Sequence, residues 1–71
     1  MDQQELNEWI RQGPIRITMN RGDTVDILNR EMVTVSSMTA VVLVKGEDGT
    51  FRHHVYPLVA MSKVEPLEPA S

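Results

Sequence analysis

The chain has 71 residues and no cysteine, which allows one domain and excludes disulfides and thiolate metal sites. Its formal net charge is −3, with 7 Lys and Arg against 10 Asp and Glu, which argues against a general phosphate-binding surface built on clustered cations. A domain this small buries only about 60% of the surface its unfolded chain exposes, so it is marginal unless it is liganded or oligomeric.

The acidic start Met1-Asp2-Gln3-Gln4-Glu5 lacks the basic and apolar regions of a signal peptide. No apolar run approaches the roughly 20 residues that cross a bilayer. With the missing cysteines, this gives the expectation of a soluble, cytoplasmic chain with no membrane partner. Asp2 suits an N-cap, and Glu5 stands where a capping box needs it. Leu6, Trp9 and Ile10 then recur at i, i+3 and i+4 as one apolar stripe, so a short helix is expected. Gly13 can take the C′ conformation that ends it, and Pro14 cannot continue it. So short a helix is marginal alone in water and must dock its stripe on the rest of the fold.

From Ile15 the period changes to two, with Ile15, Ile17 and Met19 on one face and Arg16, Thr18 and Asn20 on the other. Asn20-Arg21-Gly22-Asp23 is a turn signal, and residues 24–28 resume the alternation with Val25 and Ile27 inward, which makes a hairpin. Asn29-Arg30-Glu31 interrupts the pattern, and residues 32–36 form a third strand with Val33 and Val35 on one face. Residues 39–45 are apolar on both faces through Ala40–Val44, which predicts burial on both sides, one of them against a partner subunit. Gly46-Glu47-Asp48-Gly49 is a turn, residues 50–56 return, and Pro57 stops that strand. Residues 58–64 can add a last short strand, and residues 67–71 form a flexible tail to a domain spanning 1–66. The expected fold is mainly β with one N-terminal helix: a small barrel of about five bent antiparallel strands.

No catalytic, cofactor-binding or metal site is expected. His53 and His54 are strand neighbours that point to opposite faces, so they do not share an ion, and no carboxylate stands at a ligand spacing. One imidazole is expected to face solvent or a neighbour and the other to be packed and hydrogen-bonded; a pH-sensitive subunit contact is consistent with this pair. Ser36, Ser37 and Ser62 lack a nucleophile elbow. Asp23, Asp26, Glu31, Glu47 and Asp48 lie in or beside turns, where solvation accounts for them, and Glu47-Asp48 between the two glycines would repel phosphate. Phe51 is expected in the core, and Trp9, on the helix stripe, in the core or an interface.

A helix followed by about five short strands is the element order of the Sm-like fold. Leu6-Asn7, Pro14, Ile15-Arg16-Ile17-Thr18-Met19 and the Gly22 turn resemble the opening of the bacterial host factor Q (Hfq) RNA chaperone family, and Ala60-Met61-Ser62-Lys63-Val64-Glu65-Pro66 is similar to its last strand. Residues 27–35 and the Glu65-Pro66 ending also resemble short uncharacterised bacterial proteins, a likeness that implies no activity. The Hfq resemblance implies an Sm-like fold and ring-type self-assembly. The helix before the first strand favours Sm-like over an isolated SH3-like barrel. The family's RNA-gripping sets are not carried over. Its Tyr-Lys-His run aligns with Pro57, Leu58 and Val59, its arginine-rich patch is reduced to Arg11 between Ile10 and Gln12, and its adenine-stacking aromatic aligns with Thr18.

The leading expectation is therefore a non-enzymatic, self-associating interaction module, with a homo-oligomeric or other protein partner. In Sm-like proteins the last two strands make the subunit contact, which marks Val55, Tyr56, Leu58, Val59 and Met61 as interface candidates. The alternative is an Sm-like ring that binds RNA through re-wired contacts, with Arg16, Arg30, Arg52 and His54 as candidates.

Overall fold

The structure, a computed structural model, describes residues 1–67. It is mainly β with one N-terminal helix, α1 (Gln3–Gln12), and six strands: β1 (Ile15–Met19), β2 (Thr24–Ile27), β3 (Val33–Val35), β4 (Thr39–Lys45), β5 (Phe51–Pro57) and β6 (Met61–Pro66). The strands form two three-stranded antiparallel sheets, ordered β2-β1-β6 and β3-β4-β5, and the ladders do not close into a barrel. Of the tail expected at residues 67–71, Leu67 donates its N–H to the Pro14 carbonyl at 2.9 Å, and residues 68–71 lie outside the described residues.

The helix forms where its end signals place it. The Asp2 carboxylate accepts from the Glu5 N–H at 2.7 Å, and Gly13 closes the other end at φ 133°, a backbone region open to glycine. Leu6 is the buried member of the apolar stripe; Trp9 and Ile10 pack at its margin. The β1–β2 hairpin turns through Gly22 at φ 96°. Alternation then sends Ile15, Ile17, Met19, Val25 and Ile27 into the core, with Leu6, Ala40, Val42, Leu58 and Met61.

Two 3-10 turns, at Arg30–Met32 and Leu58–Ala60, mark the places where the chain passes between the sheets. The Asn29 side chain accepts from the Glu31 N–H at 3.0 Å and caps the first turn, which separates β2 from β3 at the interruption expected there. The second turn follows Pro57, so the last strand starts at Met61 rather than at residue 58.

β4 is less enclosed than expected. Ala40 and Val42 are buried, whereas Val41, Leu43 and Val44 are half-buried. Phe51, expected in the core, is 55% exposed, because it starts an edge strand just beyond the Gly46–Gly49 turn, where the other sheet does not reach it.

Candidate functional site

β5 and β6 each have a partner on one side only. β5 pairs with β4, β6 pairs with β1, and among the described residues each leaves its other edge without a strand. Register fixes which side chains share a face. His54 lies opposite the buried Val42 and so points inward with Arg52 and Tyr56. Phe51, His53, Val55 and Pro57 therefore point outward, opposite Lys45, Leu43, Val41 and Thr39.

The five interface candidates divide in two. Val55 is 62% and Val59 80% exposed, so both present apolar surface. Leu58 and Met61, at 1% and 7%, are members of the chain's own core, and Tyr56 is half-buried. Leu58 continues the inward series of Arg52, His54 and Tyr56 while Val59 points out, and Met61 is brought back inside by the 3-10 turn. Three bonds hold it. The Leu58 N–H donates to the Met38 carbonyl at 2.8 Å, the Asn20 N–H to the Ala60 carbonyl at 2.7 Å, and Asn20 Nδ2 to the Val59 carbonyl at 3.4 Å. Met38, 72% exposed, is thereby tied to the same end of the molecule; sequence reasoning did not single it out. The signal for Leu58 is the Pro57-Leu58-Val59-Ala60 run itself, which breaks the period of two.

Tyr56 lines two open cavities beside β5. One, of about 290 Å³, lies against Met19, Asp23, Pro57 and Ala60; the other, of about 390 Å³, against Val25, Asp26, Val44 and His54. Partial burial, with the nearby Asp23 charge, raises the Tyr56 phenol above its ordinary value. Both histidines are exposed, so neither is packed; His54 Nδ1 lies 3.2 Å from the Tyr56 hydroxyl.

The RNA candidates are distributed over three elements. On β1, Arg16 is engaged by Asp26 in two hydrogen bonds, at 2.8 and 3.1 Å; this pairing raises the guanidinium pKa and holds the Asp26 carboxyl below the usual carboxylate range. Arg52 lines a shallow depression with Glu47 and Asp48, and His54 lies on the same strand face. Arg30, in the first 3-10 turn, is brought beside Arg11 and Asn7 of α1 around a cavity of about 80 Å³. Arg11 itself pairs with Glu8 at 3.3 Å.

Of the turn carboxylates, Asp26 is bonded to Arg16 and Asp48 to Thr50. Asp48 accepts from the Thr50 N–H at 3.1 Å and from its hydroxyl at 2.7 Å, bonds that lower its pKa and close the β4–β5 turn. Among the described residues no three His, Asp or Glu side chains are grouped to hold a metal ion, and no helix is long and apolar enough to cross a membrane.

Comparison with protein-family models, curated proteins and solved structures returns no match.

Proposed function

We propose that the chain is a non-enzymatic, self-associating interaction module built on a small Sm-like or SH3-like barrel, open between β5 and β6. Three features support the fold reading: the helix before β1, the strand path β6-β1-β2 continued through β3-β4-β5, and β2 and β3 acting as the two halves of one bent strand. The observation that carries the function is the pair of unpartnered edges, β5 with seven residues and β6 with six, beside the exposed apolar Phe51, Val55 and Val59. A long open edge is a template for strand addition, and natural domains block it or use it. The occupant is a second copy of the chain: its β6 edge, six residues long, is close in length to the seven of β5, and because Lys63 and Glu65 on β6 already lie 3.8 Å apart the match is one of backbone rather than of charge. Such a contact is head-to-tail and closes into a ring if the rotation permits. Val55 and Val59, not Leu58 or Met61, supply its apolar side chains. Sedimentation velocity on the full chain tests this: species larger than the monomer are expected at tens of micromolar, and a strict monomer there contradicts the reading.

A second reading, an RNA-binding Sm-like ring with re-wired contacts, is favoured by the pairing of Arg11 and Arg30 around one cavity. It predicts salt-dependent binding of short uridine- or adenine-rich RNA, weakened by Arg30→Gln. No detectable binding at low salt contradicts it.

A further inference from the structure

We infer that a second copy joins β5 antiparallel and in a single phase, which sets its Val64 on the apolar face of Phe51 and Val55. The inference rests on the self-association reading and names the residues through which the same surface takes its partner.

Two bonds fix the phase of β5. At one end of its ladder with β4 the Gly46 N–H donates to the Thr50 carbonyl at 2.7 Å, and at the other the Leu58 N–H donates to the Met38 carbonyl at 2.8 Å. Bonded and unbonded pairs alternate along an antiparallel ladder. In the register between those ends, Arg52, His54 and Tyr56 therefore bond to β4. Phe51, His53 and Val55 turn their N–H and carbonyl groups to the open edge. Their side chains are also the outward set, so one row of residues supplies both the edge and the apolar face.

β6 is fixed in the same way. The Leu67 N–H donates to the Pro14 carbonyl at 2.9 Å, so the bonded pairs that follow are Arg16 with Glu65 and Thr18 with Lys63. Val64 and Pro66 turn to the open edge. Their side chains stand opposite the buried Ile17 and Ile15 on the inner face, where Val64 is half-buried. Pro57 and Pro66 agree with both assignments: each stands in the open-edge phase, where a missing N–H breaks no ladder bond.

A strand added antiparallel, the sense of the chain's own ladders, pairs open-edge residues with open-edge residues, and paired side chains share a face. Val64 of the second copy then falls in the row of Phe51, His53 and Val55. The outer face of β3-β4-β5 runs on into the inner face of the neighbour's β2-β1-β6. Lys63 and Glu65, 3.8 Å apart, fall on the opposite face with Arg52 and His54. β5, with seven residues, is about 23 Å long, and its backbone bonds alone do not cover the roughly 800 Å² per partner of a stable contact. Phe51 and Val55 against the neighbour's Val64 add the apolar area that the edge lacks.

The test uses the absence of cysteine from the chain. Val64→Cys is mixed in turn with Phe51→Cys, Arg52→Cys, His53→Cys, His54→Cys and Val55→Cys under mild oxidation, and the mixed disulfides are quantified by mass spectrometry. Single-cysteine variants form that bond only between copies. The Cα atoms of a bonded antiparallel pair are about 5.5 Å apart, within disulfide reach. Val64→Cys should cross-link to one or more of positions 51, 53 and 55, and at least about tenfold less to 52 and 54. His53→Pro removes an open-edge N–H and leaves the β4 ladder whole. In sedimentation velocity it should assemble at least about tenfold more weakly than the wild type, with the fold unchanged by circular dichroism. Cross-linking strongest at position 52 or 54, or absent while the wild type self-associates, overturns the inference and leaves the self-association reading intact. So does a folded His53→Pro that assembles as the wild type does. A wild-type monomer at every concentration overturns both.

Discussion

The two sheets have three strands each and opposite distributions of apolar surface. In β2-β1-β6, the large aliphatic side chains Ile15, Ile17, Val25 and Ile27 are buried, and the outer face is polar, with Arg16 bonded to Asp26 and Lys63 within 3.8 Å of Glu65. In β3-β4-β5, Ala40 and Val42 are buried, while Phe51 and Val55 lie in solvent and Val41 and Leu43 are half-covered. The first sheet keeps its large apolar side chains inside, and the second leaves several outside. A contiguous exposed apolar patch beside an open edge is the usual mark of an interaction surface, whereas single exposed aliphatics carry no such meaning.

Substitutions on the two sheets separate these roles. The largest effect is expected from Ile17→Ala, which empties a fully enclosed site and should cost about 2–5 kcal/mol, enough to unfold much of so small a domain; urea denaturation followed by circular dichroism measures it. Val55→Lys on the other sheet should abolish self-association while shifting monomer stability by less than about 0.5 kcal/mol. If Val55→Lys unfolds the chain as Ile17→Ala does, the two sheets do not differ in role. Asp2→Ala removes the α1 cap and should cost about 1 kcal/mol in the same denaturation assay, with no effect on assembly.

The smallest effect belongs to the outer face of the first sheet. Asp26 is held below the ordinary carboxylate range by Arg16, so its contribution is present above about pH 3.9 and is lost as pH falls through the lowered folded value. The pair is largely exposed and screened by solvent, so Asp26→Asn should slightly reduce stability at neutral pH and flatten the acid limb of the stability profile.

Local signals carried most of the first sheet and the helix into the sequence reading. Asp2, Gly13 and Pro14 bound α1, and strict alternation is enough to place Ile15, Ile17, Met19, Val25 and Ile27 on the core face. The second sheet was legible as strands and not as faces. Ala40–Val44 is apolar throughout, so periodicity alone does not say which side meets the helix and first sheet. Phe51 reads as core by composition, and its exposure follows from the edge position of β5, a tertiary property. The candidate contact was half legible for the same reason. Leu58 and Val59 keep the inward and outward sense of β5, and the 3-10 turn then shifts the phase so that Met61 is again inside, a change that alternation alone does not show. The grouping of Arg11 with Arg30 depends on where α1 docks, which no local pattern encodes.

Amide hydrogen exchange across the two open edges tests the central claim most directly. The account predicts that amides in β5 (Phe51–Pro57) and β6 (Met61–Pro66) gain protection as the full chain is concentrated from about 1 to about 100 µM, while those of β2 do not change. Exchange in β5 and β6 that is identical at both concentrations would contradict it.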